Sequence, residues 1–129
     1  EHIGIAVNSL TNGKKFWSKV LGLNKIGEEE VMEQGVHTDI YDIINGKIEL
    51  LEGTSYSSTI SKFIRKKGEG IHHICLKVEN IEDAINELKK NNIKLISDTY
   101  AIGTEGSKVI FVHPHSTGGV LVEFAEVND

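Results

Sequence analysis

The chain has little of what would place it outside ordinary globular proteins. It carries one cysteine, Cys75, in 129 residues, so no internal disulfide can form and a reducing compartment is expected. Positive charge is in deficit: 14 Lys and Arg against 19 Asp and Glu leave a net charge of −5. No basic cluster is interleaved with aromatic residues either, which argues against nucleic acid as a partner. No apolar run reaches membrane-spanning length and no signal peptide is visible, so no membrane partner and a cytoplasmic location are expected. A phosphate-binding glycine fingerprint is missing, as are low-complexity tracts and any linker between independently folding parts. What is left, at 39% hydrophobic and 26% charged residues, is a soluble globular chain large enough to bury the core of one domain. The chain begins directly on its first expected strand, and further residues upstream are expected.

What is present is a repeat. Gly70-Ile71-His72-His73-Ile74-Cys75-Leu76-Lys77-Val78 restates the opening Glu1-His2-Ile3-Gly4-Ile5-Ala6-Val7, with His73 placed 71 positions after His2. Each half closes on a matching stretch, Ile48-Glu49-Leu50-Leu51-Glu52 and Val122-Glu123-Phe124-Ala125-Glu126, with Glu123 placed 74 positions after Glu49. One module is used twice. Alternation along a strand puts Ile3, Ile5 and Val7 on one face and His2, Gly4 and Ala6 on the other. It likewise sets Ile74, Leu76 and Val78 against His73, Cys75 and Lys77, Ile48 and Leu50 against Lys47, Glu49 and Leu51, and Val122 and Phe124 against Leu121, Glu123 and Ala125. The apolar faces call for a helix layer. The opposite faces offer two His and two Glu, and paired about a pseudo-twofold axis these four converge on a point with the donor set of a divalent metal site.

The elements follow from local signals. Capping residues at 8–12 precede helical spacing over 14–21, ended by Gly22. Strands are predicted over 23–31, 36–44 and 47–52, the last pair joined by an Asn45-Gly46 hairpin turn. A helix over 57–67 links the halves. The second half repeats the order with a strand to Val78, a helix over 81–90 whose Ile81, Ile85 and Leu88 form a stripe, and strands over 93–97, 108–113 and from 120 on. Residues 101–106 and 114–119 read as loop and turn. The fold class is therefore α+β: one domain over 1–129, made of module 1 (1–53), a linking helix (54–69) and module 2 (70–129). Two paired β-α-β-β-β modules form a cup-shaped mixed sheet around the metal site, with the helices outside.

These features resemble the vicinal oxygen chelate superfamily (glyoxalase, bleomycin resistance, dioxygenase). Within it, Glu33-Gln34-Gly35-Val36, Gly68-Glu69-Gly70-Ile71-His72-His73-Ile74 and the run from His113-Pro114-His115 through Glu123 are similar to the methylmalonyl-CoA epimerases. The resemblance implies epimerisation of (R)- and (S)-methylmalonyl-CoA through C2 proton abstraction and enolate stabilisation. It implies a divalent ion, Co²⁺ first and Mn²⁺, Ni²⁺ or Zn²⁺ as alternatives, on His2, Glu49, His73 and Glu123, with a small acyl-CoA as substrate. Some members carry a Glu base four positions beyond the Gln of the Glu-Gln-Gly-Val stretch, where this chain has Thr38, which cannot act as a base at neutral pH. Glu49 is then its substitute, paired with Glu123 as the two catalytic bases. A second departure is His115, where the family has Lys.

Plainer readings compete with each of these. A lone strand His is more often a structural residue than a ligand, and only repetition at matched positions reverses that preference. Glu52 and Glu126 fall on the apolar-facing parity at strand ends and are expected in solvent. His72 reads as structural and Cys75 as a small pocket-lining residue, while His37, His113 and His115 lack the repeat symmetry. Lys62, Arg65, Lys66 and Lys67 read as a solvated helix face or as contacts to coenzyme A phosphates. Two other functions use the same fold, a glyoxalase I-type lactoylglutathione lyase and a non-catalytic small-molecule-binding module. Exposed strand edges would permit a homodimer.

Overall fold

The computed structural model describes residues 1–127, so the last two positions of the second expected module lie outside the described residues. The chain forms two compact units, His2–His72 and a second made of Glu1 with the residues from His73 onward.

In the first unit, strands β1 (His2–Ala6), β2 (Asn24–Val31), β3 (Val36–Asp42) and β4 (Lys47–Gly53) stand in the order β2-β3-β4-β1. β1 runs parallel to β4, and the β2–β3 and β3–β4 pairs are antiparallel. Helix α1 (Leu10–Lys14), capped by Ser9, continues as one π-helical stretch over Lys15–Val20, with Leu21 N–H donating to Phe16 O at 2.9 Å. Ile3, Ile5, Tyr41, Ile48 and Leu50 pack beneath it with Leu10 and Trp17, as the period-2 pattern predicts. Fully burying each such large side chain contributes about 1.5–3 kcal/mol.

Three details of this unit depart from the sequence reading. The β3–β4 connection spans residues 43–46, because Asp42 still pairs with Lys47. Its left-handed residue is Ile44, φ 76°, whose N–H is held by the Asp42 carboxylate at 3.0 Å; the Asn-Gly pair does not form a two-residue turn. Helix α2 (Thr59–Lys67), capped by Ser58, is not on the outer face: Ile60, Phe63 and Ile64 pack on Ala6, Val36 and Leu51, which share parity with His2 and Glu49. Ala6 and Leu51 are apolar ends of an otherwise polar face, and α2 removes them from water. Its approach is close, since a Cβ at Gly53 would collide with the hydroxyls of Ser58 and Ser61.

In the second unit, β5 (Gly70–Lys77), which carries the chain in from the first, runs parallel to β8 (Val122–Glu126). β7 (Lys108–Val112) and the two-residue β6 (Ala101–Ile102) complete the order β5-β8-β7-β6. Helix α3 (Ile81–Lys90), capped by Asn80, sets Ile81 and Ile85 on Ile110, Leu95 and Phe124. The strand expected over 93–97 is reduced to a single bridge, Leu95 to Val112. The edge position beside β7 goes to Ala101–Ile102, read from the sequence as loop. Each unit is thus β-α-β-β-β and the class is α+β. Among the described residues no helix is long and apolar enough to cross a membrane.

Candidate metal and catalytic centre

Register places the four repeated side chains. In the first unit Gly4 stands opposite Glu49 across the parallel β1–β4 pair, and His2 lies two residues back on the same face. The His2 Nδ1 atom is 3.2 Å from Glu49 Oε2. In the second unit Cys75 stands opposite Glu123, with His73 again two residues back and its Nε2 3.1 Å from Glu123 Oε1. The same register in both units is what the repeat requires. All four side chains are buried, with exposures of 8% for His2, 3% for Glu49, 6% for His73 and 5% for Glu123. Removing two carboxylates from water is costly unless positive charge or strong donors face them.

The surroundings differ between the units. On the His73 side, Phe111 stands opposite Glu123 and meets the His73 ring edge-on at 5.8 Å between centroids. Cys75 packs with Val109 and Ala125 in a small buried apolar cluster. On the His2 side, Ile40 stands opposite Glu49 and Thr38 opposite Leu51, so Thr38 shares the Glu49 face. Thr38 is fully buried and its hydroxyl has no hydrogen-bond partner among the described residues. His72 meets Phe63 edge-on at 4.9 Å, in keeping with a structural role. His113 Nδ1 accepts the His115 N–H at 3.0 Å inside a turn, and His115 is exposed.

Glu52 and Glu126 are not the solvent-exposed strand ends the parity rule was read to give. Glu52 Oε1 accepts the Leu10 N–H at 2.8 Å, and Glu126 Oε1 accepts the Ile81 N–H, also at 2.8 Å. Both are half-buried. Their parity aims them beneath the helix of their own unit, where orphan N–H groups and the positive end of the helix dipole receive a carboxylate. Each follows the buried Glu of its strand by three residues, so the repeat held the signal.

The electrostatics off this face concern Asp39 and Tyr41. Asp39 is 4% exposed and lies 3.2 Å from Lys25 Nζ, which also meets Glu28 at 2.6 Å. The hydrogen bond to Glu28 raises the Lys25 pKa, and the bond from Lys25 lowers that of Glu28. Burial pushes the Tyr41 phenol up, and its hydroxyl has no partner among the described residues. The sequence reading missed this group because Asp39 and Tyr41 alternate with the site-facing residues of a strand that shows no repeat signal.

Comparison with known proteins gives this arrangement a context. Residues 1–111 match the Glyoxalase/Bleomycin resistance protein/Dioxygenase superfamily. The chain is 39% identical over 126 residues to the mitochondrial methylmalonyl-CoA epimerase of Mus musculus, covering 97% of this chain and 71% of that relative. It is 34% identical over 128 residues to an ethylmalonyl-CoA/methylmalonyl-CoA epimerase of Cereibacter sphaeroides, covering 98% of this chain and 96% of that one. The crystal structure of methylmalonyl-CoA epimerase from Mycobacterium tuberculosis is similar with a TM-score of 0.94 at 30% identity, covering 100% of this chain and 87% of that chain.

Proposed function

The chain belongs to the Glyoxalase/Bleomycin resistance protein/Dioxygenase superfamily, and on that premise we propose that it interconverts (R)- and (S)-methylmalonyl-CoA by removing and returning the proton at C2. The observation that carries this reading is the buried His–Glu pair repeated at one register in both units, in a chain whose relatives across nearly its whole length include methylmalonyl-CoA epimerases.

The donor set fits a divalent ion. Imidazole nitrogen and carboxylate oxygen suit Co²⁺, Mn²⁺, Ni²⁺ or Zn²⁺, and a carboxylate removed from water calls for a cation nearby. His2, Glu49, His73 and Glu123 would hold it, with Co²⁺ the expected ion. When bound, it supplies Lewis-acid stabilisation of the negative charge that develops on the thioester oxygen. Glu49 and Glu123 are the two bases: one accepts the C2 proton as its C–H bond breaks, and the other returns a proton to the opposite side of the flattened carbon. Thr38, at the position where some relatives carry a base, has only a hydroxyl and leaves that duty to Glu49. Phe111, Val109 and Cys75 form an apolar lining on the same face as the Glu123 carboxylate.

The test is proton NMR of methylmalonyl-CoA in D₂O with cobalt-loaded protein, beside a chelator-treated sample. Loss of the C2 proton signal that depends on metal, and its abolition in both Glu49→Gln and Glu123→Gln, is the expected result. No exchange by the metal-loaded wild-type chain would overturn the epimerase reading, and full exchange by Glu49→Gln would overturn the role given to that residue.

A further inference from the structure

Two Asn-Gly pairs occur in the chain, Asn12-Gly13 and Asn45-Gly46. Asparagine is thermolabile, and most so before glycine, which has no side chain to shield its backbone nitrogen from the neighbouring carboxamide. The two pairs stand in different surroundings. Asn12 and Gly13 lie within α1, where the Gly13 N–H donates to Ser9 O at 3.0 Å. Helical dihedrals hold that nitrogen in the turn. The helix also presses closely on the sheet here, since a Cβ at Gly13 would meet Leu50 Cδ1 at 2.8 Å. This glycine serves the approach of α1 to β4.

Asn45 and Gly46 lie in the β3–β4 connection, outside both strands. Asn45 is exposed, as Asn12 is, so exposure does not separate the two pairs. The backbone does. The Gly46 carbonyl accepts the Ile43 N–H at 3.1 Å and the Asn45 N–H donates to Ile43 O at 3.0 Å. The Gly46 N–H has no hydrogen-bond partner among the described residues. Just before Asn45, Ile44 is 90% exposed and held at φ 76°, a region that a β-branched residue seldom adopts. Strain in the resting loop lowers the cost of leaving it, and residues 42–45 are all exposed, so no buried side chain pins the tip.

We infer that Asn45 is a site of spontaneous deamidation in the folded chain and that Asn12 is protected from it. The Gly46 nitrogen attacks Asn45 Cγ. A bond between them forms, the Cγ–Nδ2 bond breaks, and Nδ2 leaves as ammonia with the Gly46 amide proton. Water then opens the succinimide. Cleavage at Cγ gives Asp; cleavage at the backbone carbonyl carbon of residue 45 gives an isoaspartyl linkage, in which the chain runs through Cγ. Both products add a carboxylate to a loop that already holds the one of Asp42. The isoaspartyl product also adds one backbone carbon, about 1.5 Å of chain, inside the hairpin closed by Asp42 and Lys47. The same ladder sets Ile40 opposite Glu49, so the modification acts on the pairing of the strand that carries Glu49. The inference does not rest on the epimerase reading.

The test keeps the full chain in mildly alkaline buffer made with heavy-oxygen water, folded and in unfolding urea, and follows both samples over days by peptide mass spectrometry. An isoaspartyl-specific carboxyl methyltransferase with labelled S-adenosylmethionine reads the abnormal linkage. Heavy oxygen should enter the Asn45 peptide of the folded chain at nearly the rate seen in urea, with an isoaspartyl signal beside it. It should enter the Asn12 peptide at least about tenfold more slowly than in urea, because reaction there awaits the opening of α1. Gly46→Ala, which keeps the carboxamide and shields the nitrogen, should suppress labelling at residue 45 and leave Asn12 in urea unchanged; Asn45→Gln should abolish the folded-state isoaspartyl signal. A folded chain left unlabelled at Asn45 overturns the inference, and so does equal labelling of Asn12 and Asn45 in the folded chain.

Discussion

Replacing Glu52 or Glu126 by Ala tests whether the repeat is physical as well as sequential. Each carboxylate accepts the N–H of the first helical residue of its own unit at 2.8 Å, in addition to the Ser9 or Asn80 cap that serves a later N–H. Losing a helix-capping acceptor costs typically about 1 kcal/mol, and losing a partly buried negative charge at a helix N-terminus costs about 0.3–1 kcal/mol more. Each Ala variant should therefore lose about 1–2 kcal/mol. For a chain of this size that is a fall in Tm of roughly 4–8 °C. Gln variants keep an acceptor oxygen and lose only the charge, so they should fall by less than about half as much. Glu126 also lies 4.0 Å from Lys108, but that pair is too exposed to add a measurable term. Urea unfolding of the four variants beside wild type gives the values. If both Ala variants lie within about 0.3 kcal/mol of wild type, below the smallest cap effect, the carboxylates do not hold the helices. A large effect at one position and none at the other would refute the equivalence of the modules.

Three further changes test other parts of the fold. Tyr41→Phe removes a buried hydroxyl without a partner and should stabilise by about 1–2 kcal/mol in urea unfolding. The Tyr41 pKa is raised in the folded chain from its ordinary value of 10.0, so its neutral form holds its contribution below that pH. Above it the unfolded chain ionises first and stability falls; the variant should lack that part of the alkaline decline, and identical curves at high pH would contradict the burial argument. Thr38→Val likewise removes an unmatched buried hydroxyl and should gain about 1 kcal/mol while keeping C2 exchange; abolished exchange would show that the hydroxyl takes part in the reaction. Gly53→Ala should cost about 1–3 kcal/mol, because the added methyl meets Ser58 and Ser61 where α2 approaches β4, and unchanged stability would show that α2 shifts freely.

The legible parts of the structure were those written twice. The shared face of His2 with Glu49, and of His73 with Glu123, is legible because a strand has a period of two and the halves repeat, so two weak signals reinforce each other. What the repeat did not cover was read less well. The short edge strand Ala101–Ile102 pairs with β7 across only two residues, too few for alternation to show. The π-helical continuation of α1 has no residue signature distinct from an α-helix. Thr38 was recognised as a departure from the family, but its lack of a partner depends on what surrounds it and not on its identity.

The placement of α2 shows why parity alone gave half an answer. Alternation assigned Ala6 and Leu51 to the side of His2 and Glu49, and that assignment holds. Treating the whole side as a site then left no reason for its apolar end, although an exposed Ala–Leu–Val patch on a sheet asks for cover as much as the other face does. Among the described residues the second unit has no helix like α2 on this face, and there Cys75, Val109 and Ala125 form their own small cluster. The two modules are therefore equal in their buried His–Glu pairs and unequal in what borders them.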